Sequence, residues 1–176
     1  MSIFDPLLRN AKGVLLKFLF LQFLLFGALF IDKTHASDYY WVGGTGNWSD
    51  YANHWATTSG GLIFHIQIPG LSDNVYFDAN SFTTTGQTVT TDTTFFYIND
   101  MDWTGAQFSP HFIAGNINIY GSLTLINNMF ISSTILRFLS ASAGNTITSA
   151  GNSLNYIYLD GAGGTWSLTG DFACNN

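Results

Sequence analysis

The sequence predicts an all-β protein: a parallel β-helix or β-solenoid with an aromatic N-terminal cap. Short segments rich in Thr, Ile, Tyr, Phe and Val alternate at period two, with Gly and Asn between them. Stretches several strands long resemble one another. No segment beyond residue 36 has helical character.

Residues 1–36 read as a helical signal peptide. Arg9, Lys12 and Lys17 precede or enter an apolar run from Val14 to Phe30, and "DKTHAS" supplies small residues for a cut after Ala36. Lys17 and Gln22 interrupt the run, which leaves it short for a permanent membrane anchor. The expected location is secreted, extracellular or at the cell surface, with no membrane contact after cleavage.

Residues 37–176 hold nine aspartates, no glutamate and no lysine. Arg137 is their only strong base, so their formal charge is −8. Such a surface cannot neutralise phosphates, which excludes nucleic acid as a partner, and it repels anionic polysaccharides. β-Helical lyases and hydrolases handle acidic polysaccharides with basic residues, and Arg137 in "ILRFL" is all this chain offers. The expectation is therefore no enzyme. An aromatic content of 16% argues against disorder. Cys174 is the only cysteine, so no internal disulfide forms. The sequence stops at "FACNN" after a strand-like segment, and a longer parent chain is expected.

"NVYFDA", "QTVTTD", "FFYIND", "NINIYGSLTL", "STILRFL", "NTITS", "NYIYLD" and "TWSLTGDF" read as short strands. Ile117, Ile119, Leu123 and Leu125 fall on one side of a break at Gly121, with one face buried and one wet. Residues 86–105 align with 144–163, and "GNINIYGSL" (115–123) with "GTWSLTGDF" (164–172). A repeat several strands long points to stacked coils, each covering its neighbour's apolar face. Coils of roughly 20–25 residues would number about five or six. A β-sandwich is the alternative, since it fits the same strand spacing. The expected organisation is a Trp-rich cap region at 37–85 and imperfect solenoid repeats at 86–176.

Trp41, Trp48 and Trp55 stand seven residues apart. A coiled coil is excluded, because the glycines of "VGGTGN" cost a helix roughly 3 kcal/mol against alanine. A solenoid needs a cover over its first coil, and the three tryptophans would form it. Asn47, Asp50 and Asn53 would accept from the ring N–H groups. Two other readings stay open: a glycan-binding platform with exposed indole faces, and ordinary sandwich core.

"YYWVGGTGNWSDYANHWATTSGG", "PGLSDNVYFDANSF", "DMDWTG", "GSLTL" and "GAGGTWSLTGDF" resemble a class of large secreted repeat proteins from gliding bacteria, cargo of the type IX secretion system. The resemblance covers about residues 39–172, and W-V-G-G-x-G-N-W-S-D is its most specific part. It implies a β-rich extracellular region with an adhesive or structural role. Members of that class end in a C-terminal sorting domain, which this sequence does not show.

Asp100 and Asp102 in "NDMDW" share a face on a strand. Such a pair serves acid–base glycoside hydrolysis or holds calcium. The aligned repeat keeps Asp102 as Asp160 and replaces Asp100 by Tyr158, which favours a turn role. Asp73, Asp78 and Asn80 form a second oxygen-rich patch that Asx-turns explain equally well. His54, His65 and His111 lack zinc spacing, and "GAGGTW" connects strands where a phosphate loop would open a helix. No cofactor is expected, calcium being the one the pattern allows. The function expected is a non-catalytic, adhesin-like segment presenting a rigid β surface to surface glycans or other surface proteins. The alternative is a carbohydrate-binding or carbohydrate-active β-helix module for neutral glycans.

Overall fold

Period-two alternation leaves each strand with one apolar face, and this chain covers that face by winding. A computed structural model describes residues 36–174. Up to His35, the expected signal segment lies outside the described residues. The elements run β1 (Asp38–Trp41), β2 (Gly46–Asn47), α1 (Tyr51–His54), β3 (Trp55–Ala56), β4 (Asn74–Tyr76), β5 (Thr88–Thr90), β6 (Phe95–Ile98) and β7 (Met101–Asp102). They continue with β8 (His111–Ile119), β9 (Leu123–Thr124), β10 (Phe130–Phe138), β11 (Asn145–Thr148), β12 (Ser153–Leu154), β13 (Tyr156–Leu159), β14 (Trp166–Thr169) and β15 (Ala173–Cys174).

From β4 onward the chain passes back and forth between two main sheets, with a third, two-stranded parallel sheet of β12 and β15. The first sheet has the order β14-β11-β9-β7-β4-β1-β3; the second has β13-β10-β8-β5-β2, with β6 also on β8. Except for β1 with β3, the strands within each sheet pair in parallel. The fold is a β-solenoid of about 4 turns, which decides against the sandwich. The count falls below the expected five or six because the first excursion is long. Asp38 and its rung partner Asn74 lie 36 residues apart, whereas later rung-to-rung hydrogen bonds span 26, 22, 24 and 21. The surplus goes into the turn, helix and hairpin that cover the first coil.

Inward residues form columns. Tyr39, Val75, Met101, Leu123 and Ile147 lie in register on the first sheet, each at most 2% exposed. Two residues on, Trp41, Phe77, Trp103 and Leu125 form the next column and are just as deeply buried. Phe77 and Trp103 stack with centroids 3.7 Å apart and planes at 8°. On the second sheet, Phe96, Ile117 and Leu136 make one buried column, and Ile98, Ile119 and Phe138 another. In β8 the inward positions move from 112 and 114 to 117 and 119. This slip of one turns a corner near Gly115. Ile117, Ile119, Leu123 and Leu125 all point inward, as their alternation predicts.

The long-range repeat does not hold as aligned. Thr88 and Val89 lie in β5 of the second sheet, while their aligned partners Thr146 and Ile147 lie in β11 of the first. Met101 and Leu159 are likewise on different sheets. Every face carries the same x-Φ-x-Φ pattern, so self-similarity cannot tell one face from another.

At the last rung the columns reach the surface. Leu159, in register with Phe138, is 54% exposed, and Leu168, in register with Ile147, is 53% exposed. Coverage by the following rung is thus what buries an inward side chain. Trp103→Ala is expected to lower the unfolding free energy by about 3–5 kcal/mol, whereas Leu168→Ala should lower it by about 1 kcal/mol or less. Urea denaturation of the two variants measures the contrast.

Candidate ligand-binding face

The tryptophan motif builds the covered end. β3 pairs antiparallel with β1, Trp41 opposite Trp55, and a further antiparallel bridge joins Ala56 to Phe64. These strands cover the edge that the first sheet would otherwise leave open. Trp41, Trp48 and Trp55 are each 0% exposed. Trp55 meets Trp41 and Trp48 edge-on at 4.9 and 4.6 Å, and Trp48 lies 4.5 Å from Phe96. No indole face is open for a sugar to stack on, which removes the glycan platform left open at Trp41, Trp48 and Trp55. Their ring N–H groups also avoid the expected acceptors. Trp41 Nε1 donates to Gly44 O at 2.8 Å and Trp55 Nε1 to Trp48 O at 3.0 Å. Trp48 Nε1 is buried without a partner among the described residues. Asp50 instead accepts from Asn53 Nδ2 at 2.9 Å. The Asn47 backbone carbonyl accepts from Asp50 N.

The glycines of the motif have a geometric cause. Gly44 sits at φ +73°, in the left-handed region that side chains disfavour. A Cβ on Gly46 would come within 2.0 Å of His54 Nε2. His54 itself is buried, stacked on Trp41 at 4.5 Å and 5°, and its Nδ1–H donates to Val42 O at 2.7 Å. His65 stacks on Tyr39 at 3.6 Å, on another side of the cap. Among the described residues no group of three or more His, Cys, Asp or Glu side chains is placed to hold a metal ion.

Asp100 and Asp102 each serve the backbone. Asp100 Oδ1 accepts from Ser122 N on the next rung at 2.6 Å, in a partly buried setting. Asp102 Oδ1 accepts from Thr104 N at 2.7 Å, in an exposed turn. Asp73 likewise takes Ser37 N and Gly70 N, and Asp78 takes Asn80 N. Asp92 reaches from the loop after β5 to Ser49, accepting from its backbone N–H at 3.0 Å and from its hydroxyl. Burial pushes the Asp92 carboxyl up, but the Ser49 bonds, together with the Asp92 backbone N–H, outweigh it and hold its pKa below the usual value.

The face that sequence reading missed is the outside of the second sheet. Two outward columns cross four rungs there. Phe95, Asn116, Ile135 and Tyr156 form one; Tyr97, Asn118, Arg137 and Tyr158 form the other. Phe95, Tyr97, Tyr156 and Tyr158 are 54, 44, 56 and 42% exposed, so aromatic rings bracket a polar centre. Between them lies a groove of about 230 Å³ lined by Phe95, Asn116, Ile117, Asn118, Ile135 and Arg137. Arg137 lies 5.2 Å over the Tyr158 ring and 3.6 Å from Asp160. Asn118 Nδ2 donates to Phe96 O at 3.3 Å. Asn116 Oδ1 is buried with no partner among the described residues. Leaving such an acceptor unsatisfied costs roughly 1–3 kcal/mol.

These residues lie 21, 19 and 21 positions apart along a column. Stacking "FFYIND", "NINIYG", "ILRFLS" and "NYIYLD" by their inward residues would have found them. Comparison with protein-family models, curated proteins and solved structures gives no match.

Asp100→Ala is expected to cost about 1–2 kcal/mol and Asp102→Ala about 0.5 kcal/mol, because only the first orphans a partly buried N–H. Chemical denaturation of both variants checks the difference. Because the Asp92 pKa is depressed by folding, its stabilisation is present above the ordinary carboxylate pKa and lost as pH falls through the folded value. Asp92→Asn should therefore flatten the acid limb of a stability-versus-pH curve, read from melting temperatures.

Proposed function

We propose that this chain is an exported, non-catalytic solenoid segment that presents a rigid β surface for adhesion or structural contact outside the cell. The carrying observation is the outer face of the second sheet. There, side chains stand in register across four rungs: β8 and β10, which carry the amides and Arg137, are paired on both sides, and β6 and β13, which carry the exposed aromatic rings, are each paired to one of them. A surface preorganised in this way loses little conformational freedom on contact. The signal-like segment at 1–36 supports export, and the likeness of the W-V-G-G-x-G-N-W motif to secreted repeat proteins of gliding bacteria supports an adhesive role. The two aspartates that could have acted as a catalytic pair are committed to turns and rungs, which favours scaffold over enzyme.

Adhesion of cells displaying the full chain to polysaccharide- and protein-coated surfaces tests this reading. The native chain should adhere above cells displaying an unrelated domain. Tyr97→Ala with Tyr156→Ala should remove most of the gain at unchanged melting temperature. Adhesion no greater than the control would sink it.

A further inference from the structure

Resting on that reading, we infer that the groove between Phe95 and Arg137 is a binding site for a neutral oligosaccharide lying across the rungs. Four features of the face select this ligand class. First, the two columns that cross the groove end in exposed aromatic rings: Phe95, which lines the groove, and Tyr97 on β6, and Tyr156 and Tyr158 on the rung beyond it, β13. Exposed ring faces take the C–H faces of pyranose rings by dispersion and desolvation. The two aromatic rungs are three strand steps apart, roughly 14 Å at the usual interstrand spacing. That span suits a chain of several sugar rings and is too long for a single small molecule.

Second, the centre of the groove asks for hydroxyl groups. Asn116 Oδ1 is a buried acceptor without a donor among the described residues. Beside it stand the Asn118 amide and the Arg137 guanidinium, which are donors. A sugar hydroxyl both donates and accepts. Oδ1 is enclosed as the side chain stands, so a turn of the Asn116 side chain toward the groove lets one such group give its proton to Oδ1 and receive a hydrogen bond from a neighbour.

Third, the local charge is balanced. Arg137 is the one strong base of residues 37–176, and it is paired with Asp160. The face therefore offers no net field to hold an anion or a cation, and the acidic remainder of the chain repels polyanions. Fourth, the columns lie on a sheet face. An extended peptide would add its strand at an edge, where free N–H and C=O groups are; the groove lies over β8 and β10, which are paired on both sides, and offers side chains only.

The experiment is calorimetric titration of the purified protein with neutral hexasaccharides of glucose, xylose, mannose and N-acetylglucosamine, and with oligogalacturonate as the charged comparison. At least one neutral chain should bind, with little dependence on salt, and oligogalacturonate should not. Asn116→Asp and Tyr156→Ala should each weaken binding by about tenfold or more while the melting temperature stays within a few degrees. Trp48→Ala should lower the melting temperature whatever it does to binding.

If no neutral chain binds, while displayed cells still adhere through Tyr97 and Tyr156, the ligand class is wrong and the presenting role stands. A neutral chain that binds equally to the Asn116→Asp and Tyr156→Ala variants also overturns this site. Preference for oligogalacturonate would overturn the ligand class.

Discussion

The structure depends on register between rungs. A single coil here has two short apolar faces and cannot exclude water from either. It becomes stable when the next coil places a side chain of matching shape over each inward residue. The ladder that enforces this is partly backbone and partly side chain. Val75, Met101 and Leu125 each donate to the carbonyl one rung on. Beside them, Asn74 Nδ2 donates to Asp38, Asp100 N to Asn74 Oδ1, Ser122 N to Asp100 Oδ1, and Thr146 N to Ser122 Oγ. These contacts tie five consecutive rungs at one corner. A slip by one residue would break the whole line and turn every column outward.

That ladder also explains how so acidic a chain stacks without cations. Neighbouring rungs are about 4.8 Å apart. Two exposed carboxylates at that distance repel by roughly 1 kcal/mol even in water. The corner column reads Asp38, Asn74, Asp100, Ser122 and Thr146, alternating charged and neutral through Ser122. Its neighbour reads Tyr40, Tyr76, Asp102, Thr124, Thr148 and Thr169. No two aspartates are adjacent in either. Acids two rungs apart lie near the screening length at physiological salt, so the column carries charge for solubility at little cost to stacking. At the covered end the solution is bulk: Trp41, Trp48, Trp55, Phe77, Phe82 and Trp103 fill the first coils with the largest side chains available. A terminal rung has a neighbour on one side only, and large rings replace the missing coverage.

Much of this was legible along the chain because inward alternation is local. Ile117, Ile119, Leu123 and Leu125 declare their burial within nine residues, and "VGGTGN" declares a turn by its glycines. What stayed hidden is what the winding creates. Which face a strand joins depends on corner positions, and a corner is only a slip of one residue, as at Gly115 in β8. The alignment of 86–105 with 144–163 therefore matched patterns from different sheets. The tryptophans left a glycan platform open beside the cap for a related reason: composition reports large aromatic area, whereas burial depends on what the winding packs around it. The N–H acceptors of Trp41 and Trp55 turned out to be main-chain carbonyls, which every residue type supplies and no motif announces. The outer columns were invisible because their members sit about twenty residues apart and mix Phe, Asn, Ile, Tyr and Arg.

The inner and outer positions answer to different constraints. An inward residue is fixed by the shapes above and below it, so Leu123 or Phe138 can change little without opening a cavity. An outward residue has only lateral neighbours on the sheet surface and is free to vary. Against that freedom, Asn116 and Asn118 are informative: Asn118 gives its amide N–H to the Phe96 carbonyl, while the fold gains nothing from the buried Asn116 amide oxygen, which has no donor among the described residues, and Thr or Val there would suit the strand better. Their place at the middle of a groove, with exposed rings on both sides and a guanidinium beside them, concentrates the unmet hydrogen bonding where a ligand could answer it. The rungs hold these groups at fixed spacing before any partner arrives. A face of this kind gives specificity through where its donors and acceptors lie, and it needs neither flexibility nor charge to do so.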